Sequence, residues 1–507
     1  MAVPPVPQAR TAVAIRAVRA PLLLDVVVGL LTAVALPLAI VAIPNTISVV
    51  AALLPPGVSQ VEMMRAHGLA LPAMLLTVPL AAVAVRRFRA APILVAGLAL
   101  LALADAAGGY AGSTALVAAL RVLHGVGAGM LVPATLVAVS ERPSRDVLLP
   151  VWAGMLGAAL LSAQALALWP LDNVDSWRVT LQPYPLLTGI ALALAAVYLV
   201  LWLLSGEEES ARAAASVRRP SSAERGRLTL AAVPSAGIAV LAVGTTFDWP
   251  PTLVVVAAAV AVVGMLALGA VGTFEGPGGR MLAFTYVAVG LVVLPTAAQA
   301  TYVELGGLGG PGLRGLWLPF VIAAVAALGA AVVAGLLPEA LAARLTNGGL
   351  VAVVVGLAAI RVVVPEPDGP PLVVPFVLLA AGSAVALVSA FRLAGVGSAL
   401  LGLSLCFPAV LAGFLLGTGI QVDRLQEATR TAAGDRQALV DGFIDALHAW
   451  ALVGGFVVVG VIVLGALFAR RAGSPPSTAS AGAPVVPAPT PSPEGETGAT
   501  TEQRPEH

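Results

Sequence analysis

Apolar runs of roughly 18 to 25 residues, each long enough as a helix to cross a hydrocarbon layer of ~30 Å, recur along the chain with only short polar breaks. Fourteen such runs can be counted. A backbone in lipid must satisfy its own N–H and C=O groups, so this spacing predicts an all-α integral membrane protein with about 14 transmembrane helices. Composition agrees: 59% of the 507 residues are hydrophobic and 10% are charged, against about 25% charge in a soluble domain. The net charge of +1 offers no basic field to nucleic acid. The single cysteine, Cys406, lies in an apolar run and can form neither an internal disulfide nor a metal cluster. Arg10, Arg16 and Arg19 precede the first run as in a signal peptide. That run continues to Leu54, however, and reads as an uncleaved first span at 27–53.

The polar breaks organise the rest. A segment 1–26 precedes six spans filling 27–204, and the mixed-charge stretch SGEEESARAAASVRRPSSAERGRL at 205–228 reads as a linker. Two spans fill 229–273 and six more fill 281–469, with a polar outer stretch at 421–449 before the last. That stretch suits either a helical hairpin, with Val440, Phe443, Ile444 and Leu447 on one face, or a solvated loop. The Pro/Ala/Ser/Thr-rich end, 470–507, predicts a disordered tail. With the N-terminus cytoplasmic, the inner breaks hold the RRFR cluster at 86–89, Arg142, Arg145 and five arginines between 212 and 227, more than the outer ones. Trp169, Trp177, Trp249, Trp317 and Trp450 then fall near the outer interface, where indole rings prefer to sit. Both signals predict a multi-pass protein of the cell membrane with both termini cytoplasmic.

An ionisable group inside a span costs about 2.5–3.5 kcal/mol on insertion scales and marks a functional candidate. Asp105, near the outer end of the third span, and Arg121, near the outer start of the fourth, stand out. At 1.5 Å per residue both lie about 8–10 Å deep on antiparallel neighbours, so the two can pair. Such a pair is either a static lock between helices or a titratable carboxylate held by Arg121 until substrate or proton entry separates them. Below Arg121, Gly125, Gly127 and Gly129 let a partner helix approach closely, and Pro133 follows. Asn45, His124, Gln164, Gln299 and Tyr302 are the polar groups suited to lining a central cavity, or to hydrogen-bonding between helices. Arg361 snorkels to the outer interface, and His67 and His448 read as interface residues.

RVLHGVGAGMLVPATL at 121–136 resembles the fourth span of the major facilitator superfamily, above all its fourteen-span drug:proton antiporter branch, whose pattern is R-x-x-Q-G-x-G-x-G followed by Pro-Ala. His124 stands in place of the glutamine. AIPNTI at 42–47, SWRVTLQPYP at 176–185 and GFIDALHAW at 442–450 resemble further family signatures. The resemblance implies two six-helix bundles with two additional central helices, rocking about a midplane site. It implies export of small amphiphilic molecules or metabolites from the cytoplasm, with Asp105 and Arg121 as the proton-coupling candidates. The implied partners are the lipid bilayer, a small-molecule substrate and protons, for a monomer without cofactor, metal or enzymatic activity.

The chain departs from the family at several points. AAVAVRRFRA at 81–90 has Arg86 where the family carries a latch aspartate, so the latch as usually described cannot form. The fifth-span motif G-P-x-x-G-G falls on Gln164-Ala165 and Ala167-Leu168 and is absent, and the branch's first-span aspartate falls on Ala35 or Val28. Asp25, the nearest acid, is expected beside Arg16 and Arg19. These losses suit a second reading, a transporter-derived scaffold or sensor that no longer pumps. A membrane transferase would need clustered carboxylates, whereas Glu141, Asp146, Glu275 and Glu339 stand singly.

Overall fold

The computed structural model describes residues 8–204, 221–247, 249–273, 275–305, 310–431 and 435–473. Residues 1–7, 205–220 and 474–507, which hold parts of the expected N-terminal segment, linker and tail, lie outside the described residues. Among the described residues there is no β-strand, and fourteen helical stretches are long and apolar enough to cross a membrane.

In the first half α1 is Gln8–Val41, α2 Gln60–His67, α3 Ala70–Phe88, α4 Ala90–Gly108, α5 Thr114–Ser140, α6 Arg145–Leu168 and α7 Pro185–Leu204. The inserted pair comprises α8 Ser222–Leu230 with α9 Ala232–Gly244 as one span, and α10 Pro251–Gly272 as the other. In the second half α11 is Gly276–Leu305, α12 Gly312–Leu336, α13 Ala342–Val363, α14 Val373–Phe391, α15 Val396–Thr431 and α16 Arg436–Gly473. The turns from α3 to α4 and from α5 to α6 carry the arginines at 86, 87, 89, 142 and 145 and define the arginine face. The α4–α5 turn lies at the opposite face.

Three boundaries differ from the sequence reading. The first span ends at Val41, not at 53, because Pro44 has no N–H to donate and turns Ile43 away from helical geometry. Beyond it, Ile47–Leu53 forms a 3-10 segment, and its buried Ile47 and Val50 join Met63, Val117 and Trp177 in an apolar cluster at the opposite face. The seventh span starts inside the expected linker, at Ser222, since Ser221 Oγ accepts the Glu224 N–H at 3.1 Å and caps the helix. The stretch 421–449 is helical over 421–431 and 436–449, with α15 and α16 continuing past their apolar parts as the hairpin.

Glycines set the closest helix contacts. A Cβ on Gly125 would run into the Ala70 carbonyl oxygen, and one on Gly129 would come 2.7 Å from Thr77 Cβ, so both face α3. Gly127 instead faces α4, where its Cβ would lie 2.7 Å from the Gly97 carbonyl oxygen. The glycine triplet therefore admits two helices, on two faces of α5. Pro133 is buried within α5, one turn beyond Gly129. In the second half, Gly290 and Gly413 bring α11 and α15 together in the same way. Across the molecule α6 packs on α12 and α14, α3 on α15, and the inserted α9 rests on both α3 and α15.

Candidate functional site

Ser113 begins α5 by accepting the Leu116 N–H at 3.2 Å, which places Arg121 two turns below the α4–α5 turn. Only 4% exposed, Arg121 donates through Nε to the His67 carbonyl oxygen at 3.0 Å and through Nη2 to those of Ala42 and Pro44 at 2.9 and 3.3 Å. These carbonyls lie at the ends of α1 and α2, where no further helical N–H remains to satisfy them. The guanidinium thus caps two helix C-termini, where a positive charge is also favoured by the helix dipoles.

Asp105 and Arg121 do not form the expected direct pair. Asp105, 6% exposed, meets His124 instead: its Oδ1 lies 2.9 Å from Nε2, and His124 Nδ1 is 2.9 Å from the Leu120 carbonyl oxygen. Helix geometry explains the exchange of partners. Arg121 is four residues from Gly125 and shares its face toward α2 and α3, while His124 is three residues from Gly127 and shares its face toward α4, which carries Asp105. Equal depth brings two residues level, but rotation about the axis decides which of them meet.

His67 joins the same polar island. Its ring is buried, and Nε2 lies 3.0 Å from Thr180 Oγ1. Because that hydroxyl spends its one hydrogen on the Trp177 carbonyl at 2.8 Å, His67 must donate from Nε2. The SWR stretch holds the island's rim, with Arg178 Nε donating to the Ala111 carbonyl in the α4–α5 turn at 2.8 Å. A cavity of about 30 Å³, room for one or two water molecules, is bordered by Thr46, Asp105, Arg121, His124, Thr180 and Tyr184.

A larger cavity of about 480 Å³ opens between the halves toward the opposite face. Asn45, Gln164, Gln299 and Tyr302 are among its lining residues, while His124 borders the island and not this cavity. Gln164 comes from α6 and Gln299 from α11, so both halves contribute. Gln299 Oε1 is buried without a hydrogen-bond partner. Asn45 is committed elsewhere, its Nδ2 donating to the Met64 carbonyl at 2.9 Å and its Oδ1 accepting the Ile47 N–H at 3.4 Å. Thr418, Gln421 and Phe443 also line it, and the sequence hid Gln421 and Phe443 because 421–449 read as lying outside the spans. No charged side chain among the described residues lines this cavity. Among the described residues no three His, Cys, Asp or Glu side chains converge as metal ligands.

The arginine face is organised by ion pairs. Asp25 pairs with Arg142 at 2.6 Å and Glu141 with Arg89 at 3.8 Å. Arg86, standing where the latch aspartate was missing, pairs at 3.3 Å with Glu224 of the inserted α8. The same Glu224 carboxylate borders the start of α15, where a Cβ on Gly397 would come 2.6 Å from it. Burial pushes the Glu141 carboxyl up to about 7, against the opposing pull of Arg89, Arg142 and Arg86. A cavity of about 610 Å³ lies on this face, reached by side chains of both halves such as Arg145 and Glu339. Phe391, one of its lining residues, makes edge contacts at 5.8 Å with both Trp152 and Tyr286 and so joins α14 to α6 and α11.

No protein-family model matches the sequence, and no curated protein matches it. Among solved structures, the chain is similar to the major facilitator superfamily proton:xylose symporter XylE bound to 6-bromo-6-deoxy-D-glucose. The TM-score is 0.51 at 13% identity, covering 88% of this chain and 94% of that one. A partially occluded inward-open xylose transporter XylE from E. coli gives 0.45 at 14% identity over 89% and 99% of the two chains, too low to carry weight. The chain therefore has the major-facilitator fold, with two helices inserted between its halves.

Proposed function

We propose that this chain is a secondary transporter of the major facilitator superfamily that exports small, uncharged amphiphilic molecules by alternating access, coupled to protons at the island of Asp105 and Arg121. The observation that carries this reading is the cavity of about 480 Å³ between the halves, lined by carboxamides and apolar side chains from both and by no charge. A second cavity on the arginine face, with Phe391, Trp152 and Tyr286 in contact at its edge, supplies the other vestibule that alternating access needs. In this reading the arginine face is cytoplasmic, the protein sits in the plasma membrane as a monomer, and six-helix bundles at 27–204 and 281–469 move against each other. The mixed lining suits cargo that pairs an apolar body with hydroxyl or amide groups.

The test is accumulation of a panel of lipophilic dyes and antibiotics in an efflux-deficient host, with and without protonophore. Wild type is compared with Gln299→Leu and Gln164→Leu at matched membrane levels. Lower accumulation in wild type that is lost with protonophore and in both variants is expected. Equal accumulation of every compound in all strains would favour the scaffold or sensor reading.

A further inference from the structure

The contacts around His124 determine how many protons the island holds. The Leu120 carbonyl oxygen can only accept, so its 2.9 Å contact with His124 Nδ1 requires a hydrogen on Nδ1. Given that hydrogen, Nε2 and Asp105 Oδ1 at 2.9 Å need one more between them. It resides either on Nε2 facing a carboxylate or on Asp105 facing a neutral imidazole. With neither, two lone pairs confront each other in a buried site and the contact cannot persist. We propose that Asp105 and His124 form a two-base, one-proton site, and that Arg121 is the alternative partner of Asp105 once that proton leaves.

This inference rests on the transporter reading and names the proton-carrying part of it. Among the described residues, the titratable and charged groups bordering the pair are Arg121, Tyr184 and, through the same island, His67. Arg121 shares α5 with His124, His67 closes α2, and Tyr184 follows the SWR stretch, its hydroxyl donating to the Leu166 carbonyl at 2.7 Å. Asp105 is the acid that α4 contributes. Arg121 alone among these carries a standing positive charge, and it borders the same small cavity as Asp105.

The balance of charge then dictates a movement. With the proton present, the pair is neutral overall and Arg121 stays on its three carbonyls. When the proton passes to water in the small cavity, a carboxylate with no hydrogen-bond donor remains, and Arg121 is the cation within reach. Turning to Asp105 takes the guanidinium off the carbonyls of Ala42 and Pro44. Ile43, Pro44 and Asn45, the segment it held, form one wall of the cavity between the halves. Loss of the proton therefore loosens the wall of the cargo site, and return of the proton resets it.

The chain contains four histidines, so ¹⁵N-histidine NMR of the purified full-length protein in lipid nanodiscs can read His124 directly. A chain retaining only His124, with His67, His448 and His507 replaced by Gln, isolates its signals. The expected result is a protonated Nδ1 at every pH and a single step in the Nε2 signal, from bare to either protonated or accepting the Asp105 hydrogen, that is altered in Asp105→Asn. A neutral ring protonated on Nε2 with Nδ1 bare, or a signal indifferent to Asp105→Asn, would overturn the proposal. The coupled movement has its own readout in maleimide labelling of Ile43→Cys, because the natural Cys406 is fully buried. The thiol's own ionisation quickens labelling in every variant, so the readout is the rate relative to Asp105→Asn, which should rise several-fold across the pH at which the shared proton is lost. A ratio that does not change with pH would overturn it too. Neither measurement needs a cargo. A one-proton pair without any transport would sink the transporter reading alone, and transport with the wrong tautomer would sink this inference alone.

Discussion

Arg121, buried, and Arg86, half-buried with only its side chain largely covered, are arginines of the first half that are neutralised in opposite ways. Arg121 spends its hydrogens on three backbone carbonyls, while Arg86 meets a full carboxylate delivered by an inserted helix. A charge held by neutral dipoles can exchange partners when a carboxylate beside it becomes available, whereas one held by a buried counter-charge loses more on separation. On the proposed proton cycle the opposite face is the one that changes, within one half, while the Arg86–Glu224 pair ties α3 to α8 beside the start of α15.

The largest effect should come from Arg121→Ala, which leaves three buried carbonyls at two helix ends without donors. At about 1–3 kcal/mol for each unsatisfied group, the variant should lose most of its stability in detergent, as followed by thermal unfolding, with Arg121→Lys intermediate. An unchanged midpoint for Arg121→Ala would mean the carbonyls find other partners. Next is the charge pair on the arginine face. Arg86→Glu should destabilise strongly, and adding Glu224→Arg should restore stability, with a coupling on the order of 1–3 kcal/mol in a double-mutant cycle. Additive behaviour would show that α8 does not hold α3.

Glu141 sharpens the contrast through pH. Its carboxyl is pushed up from 4.5 to about 7 by burial, so its protonated form fits the fold better. The stability it contributes is present in full below about 4.5 and is lost as pH rises through about 7, by on the order of 2–3 kcal/mol. Unfolding midpoints of wild type should fall across that window and those of Glu141→Gln should fall less; parallel curves would contradict the assignment. The smallest effect tests the glycines. Gly125→Ala drives a methyl into the Ala70 carbonyl and should cost about 1–3 kcal/mol, while Gly189→Ala, with open space around it, should change stability by less than about 0.5 kcal/mol.

Much of the molecule was legible in the residues themselves. The helices, their number and the polar groups of the central cavity follow from hydropathy and from the cost of polar atoms in lipid. Arg121 and Asp105 each stood out singly, because ionisable groups inside spans are rare, while His124 was marked only as a polar group and as the replacement for the family glutamine. Their pairing did not stand out, because depth along two antiparallel helices can be counted from sequence, whereas rotation about each axis is set by packing. Glu224 was equally hidden: a glutamate in a charged linker carries no mark that it will lie in the first turn of a helix and reach Arg86.

The sequence by itself determined that this chain spans a membrane about fourteen times as helices, since runs of that length and polarity have no other stable arrangement in lipid. The causes of the breaks at Pro44 and Ser221 are local, a missing N–H and a capping hydroxyl, yet the hydropathy runs placed both boundaries elsewhere. Tertiary structure alone decided that Arg121 caps α1 and α2, that His124 takes Asp105, and that an inserted helix supplies the counter-charge of Arg86. Each of those contacts joins residues far apart in the chain. Their geometry arises only when glycine-set helix approaches fix the rotation and height of every partner at once.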